Sequence, residues 1–283
     1  MAHPLLRSLR SATPAFGAWL TLPSPHSARQ IALAGRSSGL SWVCIDCEHG
    51  LTPLVPGVAD TIAAISSLPG PQTPSILVRI PAPGLQHSGL STSYQIKQAL
   101  DAGAHGIVVP MVSSAEIARQ IALDARFPPV GRRGHGSPFA HQTWGVTDAE
   151  YLGTKANDEV VVCVQIESRD AVENLEGIAT TNGIDVLFIG PFDLSLALGY
   201  PTPNPYPHPE VEKVVQRIKN VAHKHQKKVA YYCTSGELAK QRADDGFDIL
   251  TVSSDVGALA EGLTRNLATA NGKEAVIEPK RGY

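Results

Sequence analysis

The chain lacks a long apolar run, a dense set of cysteines and any sizeable net charge. No apolar stretch in its 283 residues approaches the roughly 20 that a membrane-spanning helix needs. Four cysteines in a chain this long do not make a disulfide scaffold, so a reducing, cytoplasmic setting is the simpler expectation. With 24 Lys and Arg against 26 Asp and Glu, the formal net charge of -2 gives no reason for a nucleic-acid or membrane-surface partner. No GxGxxG follows the first strand-like run and no P-loop is present, so a dinucleotide or nucleoside-phosphate site has no support. Acid is missing before Asp46, whereas Arg7, Arg10, Arg29 and Arg36 precede it. Arginine without acid resembles an organellar transit peptide. Strand-like sequence already begins at Phe16, however, and a short surface helix over 4–11 is the expected reading.

What is present is a strand–helix rhythm in a chain of ordinary composition, 43% apolar and 18% charged. Apolar, β-branched runs occupy 16–22, 42–47, 76–80, 106–112, 160–166, 186–189, 228–233 and 249–253. They are nearly continuous rather than alternating, as strands covered on both faces by helices are. Helix signals fill most of the gaps. Ser24 precedes 26–34, Ser114 opens 115–127 with Glu116 in its first turn, and Ser235 opens 236–243. Segments 170–180 and 209–225 follow the same logic. Eight repeats predict a (β/α)8 TIM barrel, an α/β fold for which about 250 residues is typical. The expected organisation is a single domain over 1–283, with a short lead (1–15) and a C-terminal helix and tail (255–283). Two stretches, 81–93 and 128–157, are long for loops of a compact domain.

A barrel builds its site from the C-terminal ends of its strands. Asp46, Glu48 and His49 stand at the end of the second strand, Arg79 at the end of the third, and Gln165 and Glu167 at the end of the fifth. Asp193 follows the sixth. Glu167 and Asp193 would repel unless one is protonated or a cation lies between them. Oxygen-only ligation suits a hard ion such as Mg2+ or Mn2+. His49, flanked by Asp46 and Glu48, has the surroundings of a general base. Arg79 suits a carboxylate or a polarised carbonyl, or else an ion pair to a neighbouring strand. No lysine lies at the C-terminal end of a strand, which argues against Schiff-base chemistry. Cys44 and Cys47 would point to opposite faces of their strand and read as structural thiols. The basic loop 132–136 reads equally as an anion contact or a solvated turn, and Arg132, His135 and His141 carry no assigned role.

At this point residues 42–50 (WVCIDCEHG), 78–81 (VRIP), 95–112 (QIKQALDAGAHGIVVPMV), 164–167 (VQIE) and 190–195 (GPFDLS) resemble the HpcH/HpaI aldolase and citrate lyase family. The resemblance runs from about Phe16 to Ser254. It implies a metal-dependent pyruvate aldolase on a (β/α)8 barrel. Glu167 and Asp193 would be the metal carboxylates, and Arg79 would contact the keto oxygen. His49 would be the base, oriented by Asp46. Gln165 would line the metal site, and Gly190 and Pro191 would form the turn that helps hold the pyruvate carboxylate. The metal would be Mg2+ or Mn2+, with Co2+ or Zn2+ as alternatives. The chain would be a homo-oligomer, a hexamer by resemblance, with the segment 256–270 packing on a neighbour. One departure is the longer insertion 83–89, followed by Ser91-Thr92-Ser93 where many relatives carry an acid.

The expected reaction is reversible cleavage of a 4-hydroxy-2-oxo acid to pyruvate and an aldehyde through an enolate. The alternatives are an oxaloacetate decarboxylase, an enzyme in the manner of macrophomate synthase using the same enolate, or a keto-acid-binding barrel without turnover.

Overall fold

The structure, a computed structural model, describes residues 2–82, 91–201 and 207–276. The insertion 83–89 therefore lies outside the described residues. Eight parallel strands form a closed barrel: β1 (Ala15–Leu20), β2 (Trp42–Asp46), β3 (Ser75–Arg79), β4 (Gly106–Val109), β5 (Val161–Ile166), β6 (Val186–Ile189), β7 (Lys228–Tyr231) and β8 (Ile249–Ser254). Each strand pairs with the next, and β8 returns to β1. The fold is the (β/α)8 barrel that the strand–helix rhythm predicts. Among the described residues no helix is long and apolar enough to cross a membrane.

Side chains alternate across each strand, which divides the core in two. Trp19, Trp42, Cys44, Leu77, Val108, Cys163 and Phe188 fill the barrel interior. Val43, Ile45, Ile76, Val78, Val162 and Val164 face the surrounding helices. Cys44 thus points inward, Cys47 packs against the outer layer, and both thiols are free. Gly17 makes room for the Trp42 indole, because a Cβ there would run into the ring. The parity that turns Trp42 and Cys44 inward also turns Asp46 inward, at the C-terminal rim. The same parity sends Leu77 and Arg79 inward on β3, and Cys163 and Gln165 inward on β5.

Serine caps open six of the helices. Ser24, Ser91, Ser114, Ser168, Ser235 and Ser254 each accept a hydrogen bond from a first-turn N–H. The segment expected as one helix over 170–180 is instead two, Arg169–Glu173 and Leu175–Ala179. They meet at Asn174, whose side-chain amide donates to the carbonyls of Ser113 and Asp170. The loop 126–157 packs a cluster of its own around Phe127, Ala140 and Tyr151. Arg133 is buried in it, paired with Asp101 at 2.8 Å and lying 4.5 Å over the Phe127 ring. Arg132 pairs with Asp124, and His135 and His141 face Asp148. This loop leads into the start of β5, so these residues belong to the side of the barrel remote from the strand C-termini.

The helix Pro4–Ser11 forms as expected, but it is more than a surface helix. Leu5 is fully buried in the interior cluster, and Leu6 and Leu9 pack against it, closing the barrel at the N-terminal ends of the strands. His3 caps this helix. Its Nδ1 accepts from Leu6 N and lies 2.8 Å from Ser75 Oγ, while Nε2 donates to the Glu159 carbonyl. The ring lies 4.8 Å from the His105 ring, tilted by 54°. Burial holds the His3 pKa down at about 4, against the opposing pull of the Glu159 carbonyl. A depressed imidazole binds fewer protons folded than unfolded. Stability is therefore complete above the unfolded value near 6.5 and falls as pH drops toward 4, by about 3 kcal/mol. His3→Asn can still cap the helix but does not titrate. Urea midpoints at pH 7 and pH 4.5 are expected to fall less for it than for the wild type. Equal falls in both proteins would remove His3 from the account.

Candidate active site

The site starts from a register. Asp46 is the strand partner of Arg79, so the two inward side chains meet at one level on neighbouring strands. Arg79 Nε donates to Asp46 Oδ1 at 2.9 Å and Nη2 donates to Oδ2 at 2.7 Å. This is a bidentate pair in which both partners are buried. Nη1 faces Glu48 Oε2 at 3.1 Å and Gln165 Oε1 at 3.5 Å. The guanidinium also lies 4.9 Å over the Trp19 ring, and Trp19 Nε1 donates to Asp46 Oδ2. Arg79 is thus held flat at the base of the mouth. The ion pair to a neighbouring strand is present, and Nη1 is turned toward Glu48 and Gln165.

The second half of the site comes from β5 and β6. Glu167, 2% exposed, follows β5. Its Oε1 accepts from Met111 N at 2.9 Å and its Oε2 from Gln165 Nε2 at 2.7 Å. Met111 adopts a left-handed backbone, φ 56, at the end of β4, a conformation that aims its N–H at Glu167. Gly190 leads into the helix Pro191–Leu198, with Asp193 in the first turn. A Cβ at Gly190 would run into Glu167 Oε2, so the chain passes the carboxylate only because the residue is glycine. No side chain caps this helix, and buried Pro191 begins it. The positive end of its dipole and its first turn of backbone N–H groups lie where an anion is favoured.

The electrostatics follow from this crowding. Burial pushes Asp46 up, but the hydrogen bonds and charge of Arg79 outweigh it and hold the carboxyl below its ordinary value. Glu48 has no such balance. Burial, with Asp46 and Asp193 against Arg79, pushes it up to about 7. Burial carries Glu167 to about 8, with Asp193 and Glu48 adding to the shift against the Met111 hydrogen bond. His49 is lowered by burial and by Arg79. Three carboxylates therefore crowd the mouth while Arg79 is already paired with Asp46, an arrangement that a divalent cation at Glu167 and Asp193 would relieve. Among the described residues no group of three or more His, Cys, Asp and Glu converges as a finished ligand shell. Two carboxylates completed by water and substrate oxygens is the shell that a hard, reluctantly dehydrated cation accepts. The residues fit such a metal.

All the residues expected at the site surround this mouth. Asp46 meets His49 through the backbone, accepting from His49 N at 3.3 Å, and the carboxylate next to the imidazole is that of Glu48. Two contributors go unassigned in the sequence, Trp19 and the Met111 amide, and Glu48 reads there only as a strand-end carboxylate flanking His49. Inward parity on β1 signals Trp19, and position at a strand end signals Glu48. Nothing in the sequence marks a methionine for a positive φ.

Fold and site together give a (β/α)8 barrel with carboxylates and one arginine gathered at its C-terminal mouth. The chain belongs to the HpcH/HpaI aldolase/citrate lyase family, whose model matches residues 15–261. It is 32% identical to the 2-keto-3-deoxy-L-rhamnonate aldolase of Klebsiella pneumoniae, over 100% of this chain and 98% of the relative. Among solved structures, an HpcH/HpaI family protein from Burkholderia cenocepacia matches with a TM-score of 0.81 and 30% identity, over 94% of this chain and 98% of that one. An HpcH/HpaI aldolase from Desulfitobacterium hafniense matches with a TM-score of 0.81 and 25% identity, over 99% of this chain and 100% of its own. The chain is accordingly an enzyme, a carbon–carbon lyase of the aldolase type acting on small molecules.

Proposed function

We propose that the chain cleaves a 4-hydroxy-2-oxo acid, reversibly, to pyruvate and an aldehyde. The observation that carries this reading is Arg79, locked flat by Asp46 beside the Glu167–Asp193 carboxylates. Similarity to an aldolase named for a 2-keto-3-deoxy acid supports the same substrate class.

The residues divide the work. Glu167 and Asp193 would hold Mg2+ or Mn2+, with Co2+ or Zn2+ as alternatives. Such a cation supplies Lewis acidity to the 2-oxo acid. Gln165 fixes Glu167 Oε2 and so keeps that carboxylate aimed. The N–H groups that follow Gly190 and Pro191 receive the substrate carboxylate. Arg79 Nη1 donates to the keto oxygen. His49 takes the 4-hydroxyl proton, the C3–C4 bond breaks, and its electrons pass to the keto oxygen as the aldehyde leaves. Arg79 stabilises the resulting enolate charge. The proton taken by His49 returns to C3, directly or through water, and completes pyruvate.

Pyruvate alone tests this without knowledge of the aldehyde. Its methyl protons, followed by NMR in deuterated water, should exchange when Mg2+ or Mn2+ is added to metal-stripped protein, and should not exchange with Arg79→Ala. No exchange with any metal, together with no decarboxylation of oxaloacetate, would overturn the reading. Decarboxylation faster than every aldol cleavage would move the assignment to oxaloacetate, which passes through the same enolate.

The chain assembles, in this proposal, through the helix Asp255–Ala270. Leu259, Leu263 and Leu267 are 66%, 58% and 53% exposed and recur every fourth residue, as one apolar stripe. A second copy of the chain is the occupant that family resemblance implies. Wild-type protein should scatter light as an oligomer, a hexamer by that resemblance, and Leu259→Asp/Leu263→Asp should fall to a smaller species. A monomeric wild type would remove the stripe from the interface. Unpaired Cys44, Cys47, Cys163 and Cys233 support a reducing, cytoplasmic setting.

A further inference from the structure

Asp46 has no acceptor capacity left for an imidazole. Its Oδ1 takes Arg79 Nε and the backbone N–H groups of Glu48 and His49, and its Oδ2 takes Arg79 Nη2 and Trp19 Nε1. Two carboxylate oxygens offer about four lone-pair sites. The donors already fill them, and Asp46 cannot turn without abandoning a buried guanidinium.

Glu48 is placed differently. Its side chain is 11% exposed, and a single oxygen, Oε2, lies 3.1 Å from Arg79 Nη1 and 3.7 Å from His49 Nε2. The His49 side chain is half exposed, so it can swing. Asp46 fixes where Glu48 starts, because it accepts the Glu48 backbone N–H. The Arg79 nitrogen that Glu48 faces is the one the keto oxygen takes in the proposed reaction.

We infer that Glu48 is the positioning residue that couples substrate binding at Arg79 to orientation of His49. A keto oxygen arriving at Nη1 displaces Glu48 Oε2. The carboxylate closes the remaining gap to His49 and accepts its Nε2–H, which leaves the Nδ1 lone pair as the base. The 3.7 Å separation is an open contact, longer than a hydrogen bond, and it tightens when the substrate is in place. Glu48 touches no reacting atom. It sets the tautomer of the group that does, and it faces the imidazolium when the proton arrives. This inference rests on the aldolase reading of the same site.

The test compares two reactions that share the enolate and differ in the base. Oxaloacetate decarboxylation needs Arg79 and the carboxylate pair but no group to deprotonate a hydroxyl. In Glu48→Gln and Glu48→Ala, with metal present, aldol cleavage should fall at least about tenfold further than decarboxylation, in kcat rather than KM. A second measurement does not depend on turnover. The His49 side-chain 1H–15N signal, assigned by its loss in His49→Gln, should move in both Glu48 variants of metal-free protein. Equal losses in the two reactions, or an unmoved His49 signal, would overturn the inference. A wild type with neither activity would refute the aldolase reading instead, and the His49 signal would still decide the Glu48 contact.

Discussion

Replacing Arg79 by lysine is expected to cut kcat/KM for aldol cleavage by about 10²–10³, the usual cost of losing a donor aimed at a developing oxyanion. The guanidinium carries three jobs at once. Nε and Nη2 grip both oxygens of Asp46, Nη1 faces the mouth, and the plane rests on Trp19. A lysine ammonium keeps the charge but is a point donor on a flexible stem, and it cannot span Asp46 while reaching the keto oxygen. Arg79→Ala is a poorer probe of chemistry. It leaves the buried Asp46 carboxylate without its counter-charge, at a cost of about 3–5 kcal/mol of stability. Steady-state kinetics on Arg79→Lys, read beside its melting temperature, separate the two effects. Activity within fivefold of wild type would reduce Arg79 to a strut between β2 and β3.

The barrel was legible because its signals are local. Continuous β-branched runs mark strands covered on both faces, and serine before a periodic segment marks a helix start. The position of the site was legible too, since fold class sends the ends of the strands to the mouth. What a linear reading misses is register and saturation. Asp46 and His49 are neighbours in sequence, which suggests a dyad. The strand register instead sets Asp46 opposite Arg79, and its oxygens are filled from there. The closing role of Pro4–Ser11 was hidden for a similar reason. The segment reads as a short surface helix until the open end of the barrel receives Leu5. Asn174 gives no warning that it splits a helix, because its partners include the carbonyl of distant Ser113.

Asp193→Asn should abolish metal-induced stabilisation while leaving the metal-free protein at least as stable as wild type. The first half follows from ligand count. With Glu167 and Asp193 as the two proposed protein ligands, removing the charge of one leaves a single anionic ligand for a hard cation. In wild type, free metal at a hundred times its dissociation constant adds about 2.7 kcal/mol. For a chain of this size that is a rise of about 5–10 °C in Tm. The variant should show none of it, and cleavage should fall by about 10³ or more, the rate equivalent of several kcal/mol of lost Lewis-acid stabilisation. The second half follows from repulsion. The charge of Asp193 acts against both Glu167 and Glu48, and neutralising it relieves one buried and one partly buried carboxyl. Asparagine keeps the volume, and Asp193 lies in the first helical turn after Gly190, where no packed apolar neighbour is lost. Thermal scans with and without Mn2+ give both numbers from one sample. A metal-free variant that melts well below wild type would make Asp193 a structural residue of the Pro191–Leu198 helix, and an undiminished Mn2+ shift would place the metal away from Glu167 and Asp193.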